Sequence, residues 1–464
     1  MLTLAAAILR ISFLGSKSLW YDEGATASVV ALPFSSLLKF VTHGQMNMFL
    51  YYVLLHGWTL IAGSSEFMLR LPSALFGVAT IFLVYVLGAE LGHRRAGLVA
   101  ALMLTVNTTS IQYAQSARSY SIYVALATLA SIAFVRSVKL GSVVNFVTYI
   151  GSGALSVYTH LFAIWALPSQ WLSLFLFRPD RKKAIAVTIC VLAILVLSLP
   201  SFIFAIAGDH GNVAWVSRTS LHSLMDLFFT FAGKFDGRTT SLMTILTVLL
   251  TMLYLIGVVS AVVWRQREDS PALGYLLLSI CLPVVLTVAI SFVKPLFVPR
   301  YLLAGLPLFA LLAAIGFQHL RPAFAIAMVF AISILSLALD YSYYRAPSIE
   351  DWRGMVDYVA KHSQPGDALL IFPAWETAPV DYYVSRRDHP ETFPTRVFQI
   401  PVKGSRKSME NPERLLAKSG ARRVWVTSSI AVDETGMKLI FSNERVVDEP
   451  TFYGVRLFLF ERNP

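Results

Sequence analysis

The chain has 464 residues, of which 56% are hydrophobic and 14% charged, whereas soluble domains run at about 45–50% apolar and a quarter charged. That balance excludes an ordinary soluble globular protein. The net charge of +11 does not indicate nucleic acid: residues 341–464 hold 17 Lys/Arg against 16 Asp/Glu, so the excess lies in residues 1–340, between apolar segments, as expected of cytoplasmic loops beside anionic lipid.

The first apolar stretch, Leu2 to Leu14, lacks a basic n-region and a small-residue cleavage site, so it reads as a span rather than a cleaved signal. It is short, either because Met1 begins inside the helix or because residues precede it. Apolar blocks of about 20 residues can cross a bilayer as helices. On that measure eleven spans are predicted: 2–15, 70–88, 97–112, 119–136, 143–159, 161–177, 184–206, 241–263, 272–293, 300–317 and 321–340. Cys190 and Cys281 both fall inside spans and read as small packing residues.

The loop between the first two spans, 16–69, is predicted to carry short surface helices at 24–32 and 34–42. Residues 47–62 are apolar and aromatic; their Tyr, Trp and His suit an interfacial helix better than a span. Basic groups alternate from loop to loop. Arg94 and Arg95; Arg136 and Lys139; Arg178, Arg181, Lys182 and Lys183; Arg265 and Arg267; and Arg321 all share one side. The positive-inside rule makes that side cytoplasmic. The N-terminus is then inside and the last segment outside.

Residues 341–464 read as a small α/β domain outside the membrane. Glu350 to His362 has helical spacing, and Ala368–Phe372, Arg423–Thr427 and Val455–Phe460 have strand length. Asn411–Lys418 followed by Gly420 reads as a helix and its stop. Residues 1–340 form the membrane domain, with the outer loop 16–69 carrying the candidate site.

Ionisable groups at membrane depth are costly, which makes them functional candidates. The predicted topology gathers Asp22, Glu23, His43, Arg118, His160, Lys294 and Arg300 at the outer face. Asp22 and Glu23 could be a helix cap and first turn, or could supply a general base. Arg118, Arg300 and Lys294 could be interface anchors, or could hold a phosphate, for which the arginine fork is suited. His160 could be a packing residue or a substrate contact. No His or Cys stands at metal-ligand spacing.

Several segments together resemble a known family: Ser18-Leu-Trp-Tyr-Asp-Glu23, Leu50-Tyr-Tyr-Val-Leu-Leu-His56, Arg70-Leu-Pro-Ser-Ala-Leu-Phe-Gly77, Gln115 to Tyr120, Tyr158-Thr-His160, Pro299-Arg-Tyr301 with Pro307, and Asp351-Trp-Arg353. In order and spacing, from about residue 8 to 363, the chain resembles the glycosyltransferase family 39 branch of the GT-C membrane glycosyltransferases. That branch includes protein O-mannosyltransferases and lipid A aminoarabinose transferases.

The resemblance implies a GT-C-type multi-pass helical bundle, mainly α, with a first outer loop of interfacial helices and a small C-terminal α/β domain. It implies a polyprenyl-phosphate-sugar donor, a lipid, glycan or protein acceptor, and an outer-face transfer, usually inverting. The catalytic base maps onto Asp22, with Glu23 the second acid of that motif. Arg118, Arg300 and Lys294 become donor-phosphate candidates. Tyr120, His160, Tyr301 and His43 become substrate-contact candidates. Two positions depart from the pattern. An acidic residue of the family is Ser116 here, and its Pro-Pro-Leu-Tyr reads Met48-Phe-Leu-Tyr51, which leaves donor and acceptor identity open. No cofactor is expected, and dependence on a divalent metal stays open. Expected partners are the lipid-linked donor, the acceptor and membrane lipid, with no nucleic acid. The competing readings are a glycolipid transporter or flippase and a non-catalytic membrane scaffold; transporters often show inverted repeats and broken helices at mid-membrane, and no repeat is visible here.

Overall fold

The computed structural model describes residues 1–44, 46–207, 216–235, 237, 240–265, 270–371, 376–398, 420–429 and 444–461. The predicted helix at Asn411–Lys418 lies outside these residues. The described chain is mainly α-helical and divides into two compact units. One comprises Met1–Leu14, Leu32–Gly63 and Met68–Arg345; the other comprises Gly15–Ala31, Ser64–Phe67 and Ala346–Pro464. The sequence suggested a boundary at residue 341. The structure places it after Arg345 and assigns two pieces of the first loop to the unit that contains the tail.

The first unit is a helical bundle. It begins with α1 (Leu2–Ile11) and, after α2 (Tyr21–Val30) of the other unit, continues with α3 (Phe34–Gly44) and α4 (Phe49–Ala62). Next come α5 (Glu66–Glu90), α6 (Arg94–Thr105), α7 (Thr108–Ala114), α8 (Tyr120–Leu140), α9 (Val143–Thr159), α10 (Ala166–Phe177) and α11 (Arg181–Ala207). It closes with α12 (Leu221–Ala232), α13 (Ser241–Arg265), α14 (Pro271–Ser291), α15 (Gly305–Phe317) and α16 (Pro322–Arg345). Among the described residues, six helices are long and apolar enough to cross a membrane: Glu66–Glu90, Tyr120–Leu140, Arg181–Ala207, Ser241–Val263, Pro271–Ser291 and Pro322–Arg345. This is a multi-pass membrane protein. The 14 residues of α4 reach about 21 Å at 1.5 Å per residue, short of a hydrocarbon core of about 30 Å.

Small residues let these helices approach closely, as in membrane bundles generally. A Cβ on Gly88 of α5 would lie 2.5 Å from the Cα of Gly97 in α6. One on Gly316 of α15 would lie 1.8 Å from the carbonyl oxygen of Gly257 in α13. Neither site can accept even alanine without the helices separating.

The predicted continuous span at 97–112 is two helices, α6 and α7, broken at Val106–Asn107. The break is held by polar groups that its apolar composition does not reveal. Arg10, fully buried, donates to the carbonyls of Leu104 (3.0 Å) and Thr105 (3.2 Å) and to Ser110 Oγ (2.8 Å). It thus satisfies carbonyls left over at the end of α6. Asn107 caps α7, its Oδ1 accepting from the Ser110 N–H at 2.9 Å, while its Nδ2 donates to the Phe231 carbonyl at 3.1 Å. Thr108 Oγ1 donates to buried Asp340 at 2.7 Å.

The second unit contains α2, α17 (Trp352–His362), α18 (Thr377–Val384) and a five-stranded sheet. Its strands are β1 (Ala368–Ile371), β2 (Thr395–Phe398), β3 (Arg423–Ser429), β4 (Arg445–Asp448) and β5 (Val455–Glu461), in the order β2-β1-β3-β5-β4. β1 runs parallel to β2 and β3, with Ala368 opposite Thr395 and Val424; β3 and β5 are antiparallel, with Arg423 opposite Glu461. All four residues of β1 are buried, as expected of a central parallel strand covered on both faces. The three predicted strands are β1, β3 and β5. The edge strands β2 and β4 were not predicted; β4 is largely exposed and so lacks an apolar run.

Candidate functional site

In the first unit the focus is His160. It ends α9 with φ −159° and ψ 121°, and its ring is 1% exposed. Nδ1 accepts from the Phe162 N–H at 3.3 Å, so the proton of the neutral ring sits on Nε2. The ring stacks on Tyr123 at 4.8 Å and 19°, with Tyr301 at 5.2 Å, Phe162 at 5.6 Å and Tyr120 at 5.8 Å. Burial first, then the charges of Arg118 and Arg300, push the imidazole down to about 3. His160 is therefore a neutral donor at any physiological pH. Its Nε2 is buried with no hydrogen-bond partner among the described residues, an unusual condition for a polar atom.

Arg118 and Arg300 flank this donor electrostatically. The Arg118 backbone is held by its own turn: its N–H donates to the Ser116 carbonyl at 2.8 Å, and its carbonyl accepts from Ser73 Oγ at 3.0 Å. The preceding Gln115 fastens that segment to α1, its Nε2 donating to the carbonyls of Leu9, Arg10 and Ser12. Arg300 lies on a single 3-10 turn, Pro299–Leu302. Tyr123 ties that turn to α8 by donating to the Tyr301 carbonyl at 3.2 Å. The first loop reaches the same region, because Asn47 Oδ1 accepts from the Leu161 N–H at 3.0 Å. Adjoining Tyr123 and Phe162 is a cavity of about 40 Å³, mostly apolar, also lined by Trp165, Tyr275, Leu302 and Leu308.

Of the residues singled out by sequence, Arg118, Tyr120, His160, Arg300 and Tyr301 therefore come together. The side chains of His43 and Lys294 are exposed. His43 Nδ1 faces the Lys39 carbonyl of its own helix at 2.7 Å, so that polar atom is already engaged locally.

Asp22 and Glu23 belong to the second unit, in the first turn of α2. Glu23 is 1% exposed, and its carboxylate accepts from the Trp20 N–H at 3.4 Å, reaching back to the start of the helix. Asp22 is more open than Glu23. Two further acids of this unit were not singled out by sequence. Glu350 Oε2 accepts from the Tyr21 N–H at 2.6 Å and from Trp352 Nε1 at 2.7 Å. Burial raises its carboxyl above the usual range, and the charges of Asp22 and Glu23 add to the rise. Glu376 accepts from the Ser429 N–H at 2.8 Å and is pushed up to about 7, mainly by burial. Glu350 stood next to the quoted Asp351-Trp-Arg353; Glu376 carried no local signal. Among the described residues no group of three His, Cys, Asp or Glu side chains is placed to hold a metal ion.

Residues 17–206 match the family model described as dolichyl-phosphate-mannose-protein mannosyltransferase. In fold the chain is similar to ArnT from Cupriavidus metallidurans in the apo state, with 13% identity, 99% of this chain and 97% of that one covered, and a TM-score of 0.59. It is similarly close to ArnT bound to undecaprenyl phosphate, with 13% identity, 99% and 97% covered, and a TM-score of 0.58. The Archaeoglobus fulgidus oligosaccharyltransferase, in complex with Zn and sulfate, aligns at 14% identity over 98% of this chain and 72% of that one, with a TM-score of 0.57. No curated protein matches the sequence. The family model thus matches residues 17–206, and nearly the whole chain shares its fold with ArnT.

Proposed function

We propose that the protein transfers a sugar from a polyprenyl-phosphate-linked donor to a lipid, glycan or protein acceptor on the outer face of the cytoplasmic membrane. The observation that carries this reading is the His160 cluster: a neutral, buried N–H donor with no partner, close to two guanidinium groups. Such a set of donors suits a phosphate anion. A similar fold has been solved with undecaprenyl phosphate.

In the proposed reaction, Arg118, Arg300 and the His160 Nε2–H hold the donor phosphate. They stabilise the charge it gains as the bond from the anomeric carbon to the phosphate oxygen breaks. Asp22 accepts the proton of an acceptor hydroxyl or amine while that atom attacks the anomeric carbon. Attack opposite the departing phosphate inverts the anomeric centre. Tyr120 and Tyr301 wall the His160 ring, and Glu23 caps the helix that carries Asp22. Mass spectrometry of envelope glycolipids and glycoproteins, with and without the gene, is expected to show loss of one sugar modification and accumulation of a polyprenyl-phosphate sugar. Unchanged profiles in both fractions would count against the reading.

Orientation follows from the basic loops. Asp388, exposed in the second unit, is expected to lie outside. In a background with Cys190 and Cys281 replaced by alanine, Asp388→Cys should react with an impermeant thiol reagent in intact cells. Labelling only after permeabilisation would reverse the topology.

A further inference from the structure

The segment leading into Asp22 is bound, residue after residue, by side chains of its own unit. The Arg353 guanidinium donates to the carbonyls of Gly15 (3.3 Å), Ser16 (3.2 Å) and Lys17 (3.3 Å), and to Glu66 at 2.8 Å. The Ser18 N–H donates to Ser348 Oγ at 2.6 Å, and the Leu19 N–H to the Tyr383 hydroxyl at 2.7 Å. The Trp20 N–H goes to Glu23 and the Tyr21 N–H to Glu350. Seven consecutive residues thus each have a backbone group held by a side chain. Gly24, one turn on, is seated so closely that a Cβ there would lie 2.8 Å from Pro379 of α18.

A surface loop needs no such treatment. Its backbone groups can bond to water, and fixing each residue costs about 1–2 kcal/mol of conformational entropy. Side chains from the far end of the sequence instead oppose that cost at the approach to one carboxylate. We infer that the tail domain is a positioning device for Asp22, and that Glu350 and Arg353 are its positioning residues. Glu350 fixes the first N–H of α2, one residue before Asp22. Arg353 fixes the run of chain that leads to it. This inference rests on the reading of Asp22 as the base.

Misplacing a reacting group by about 1 Å can cost roughly 10²-fold in rate. Glu350→Ala is therefore expected to lower kcat by about 100-fold while KM and binding of the polyprenyl-phosphate-sugar donor stay unchanged. Glu350→Gln keeps an acceptor oxygen for the Tyr21 N–H, so it should recover most of the rate. Arg353→Ala should resemble Glu350→Ala, and Arg353→Lys should recover little, since one ammonium cannot reach three carbonyls and a carboxylate together.

The comparison is made on purified full-length protein, with rates normalised to the folded fraction. Residual rates in the Asp22→Asn background decide whether Glu350 acts through Asp22. A positioning residue adds no further loss there, whereas an independent structural defect multiplies the loss. Normal kcat in Glu350→Ala beside an inactive Asp22→Asn would overturn the positioning role and leave the base standing. An active Asp22→Asn would remove the base reading itself. Should Glu350→Ala fail to fold, Glu350→Gln and Arg353→Lys carry the test. It fails if both show normal kcat or raise only donor KM.

Discussion

Replacing Asp22 with asparagine is expected to abolish transfer, because a proton acceptor contributes about 10²–10⁴-fold to such a step. The substitution is close in size and leaves the backbone of α2 free to form. Asparagine is as good as aspartate near a helix start, and loss of the charge there costs about 0.3–1 kcal/mol. Hydrogen bonds from Arg353, Ser348, Tyr383, Glu23 and Glu350 hold residues 15–21, and all of these side chains stay in place. The variant should therefore fold, insert and bind donor lipid, yet fail to turn over. Glu23→Gln keeps a carbonyl oxygen for the Trp20 N–H and should lose only a few-fold, as about 1 kcal/mol of helix capping would. Near-normal turnover in Asp22→Asn, measured with purified protein and a defined lipid donor, would return this residue to a capping role.

The second large effect is expected at the arginines beside His160. Arg118→Ala or Arg300→Ala removes a charged hydrogen-bond donor from the donor phosphate, worth about 1.5–3 kcal/mol, or roughly 10–150-fold in donor affinity. A further loss in kcat of about 10²-fold is expected where the same group stabilises the departing phosphate. The turn at Arg118 should survive, because its N–H and carbonyl bond to Ser116 and Ser73 whatever the side chain. Lysine should recover the charge without the fork, and so only part of the rate. If both alanine variants keep the wild-type KM and kcat for the lipid donor, the arginines serve only as interface anchors.

Much of the molecule was legible in the sequence because its signals are local. An apolar run of span length is helical in a bilayer wherever it packs, since backbone polar groups must be satisfied within the segment. All eleven predicted spans fall on described helical segments, six of them on helices long and apolar enough to cross a membrane, and the one at 97–112 is broken into two. Strands β1, β3 and β5 were legible for a similar reason: their burial writes a continuous apolar run. Arg118, Tyr120, His160, Arg300 and Tyr301 stand out in the sequence because polar groups in such company are few.

The tertiary structure decided what no local pattern carries. Arg10 lies in an apolar helix and gave no sign that it would cap α6, more than ninety residues away. The tautomer of His160 depends on one N–H two residues on, and its neutrality on burial among rings from three other segments. Above all, composition divides the chain into membrane bundle and soluble tail, whereas the contacts give residues 15–31 and 64–67 to the tail's unit. The hydrogen bonds responsible join groups more than 280 residues apart in sequence. Periodicity and composition average over short windows, and so cannot register pairings that only chain closure brings about.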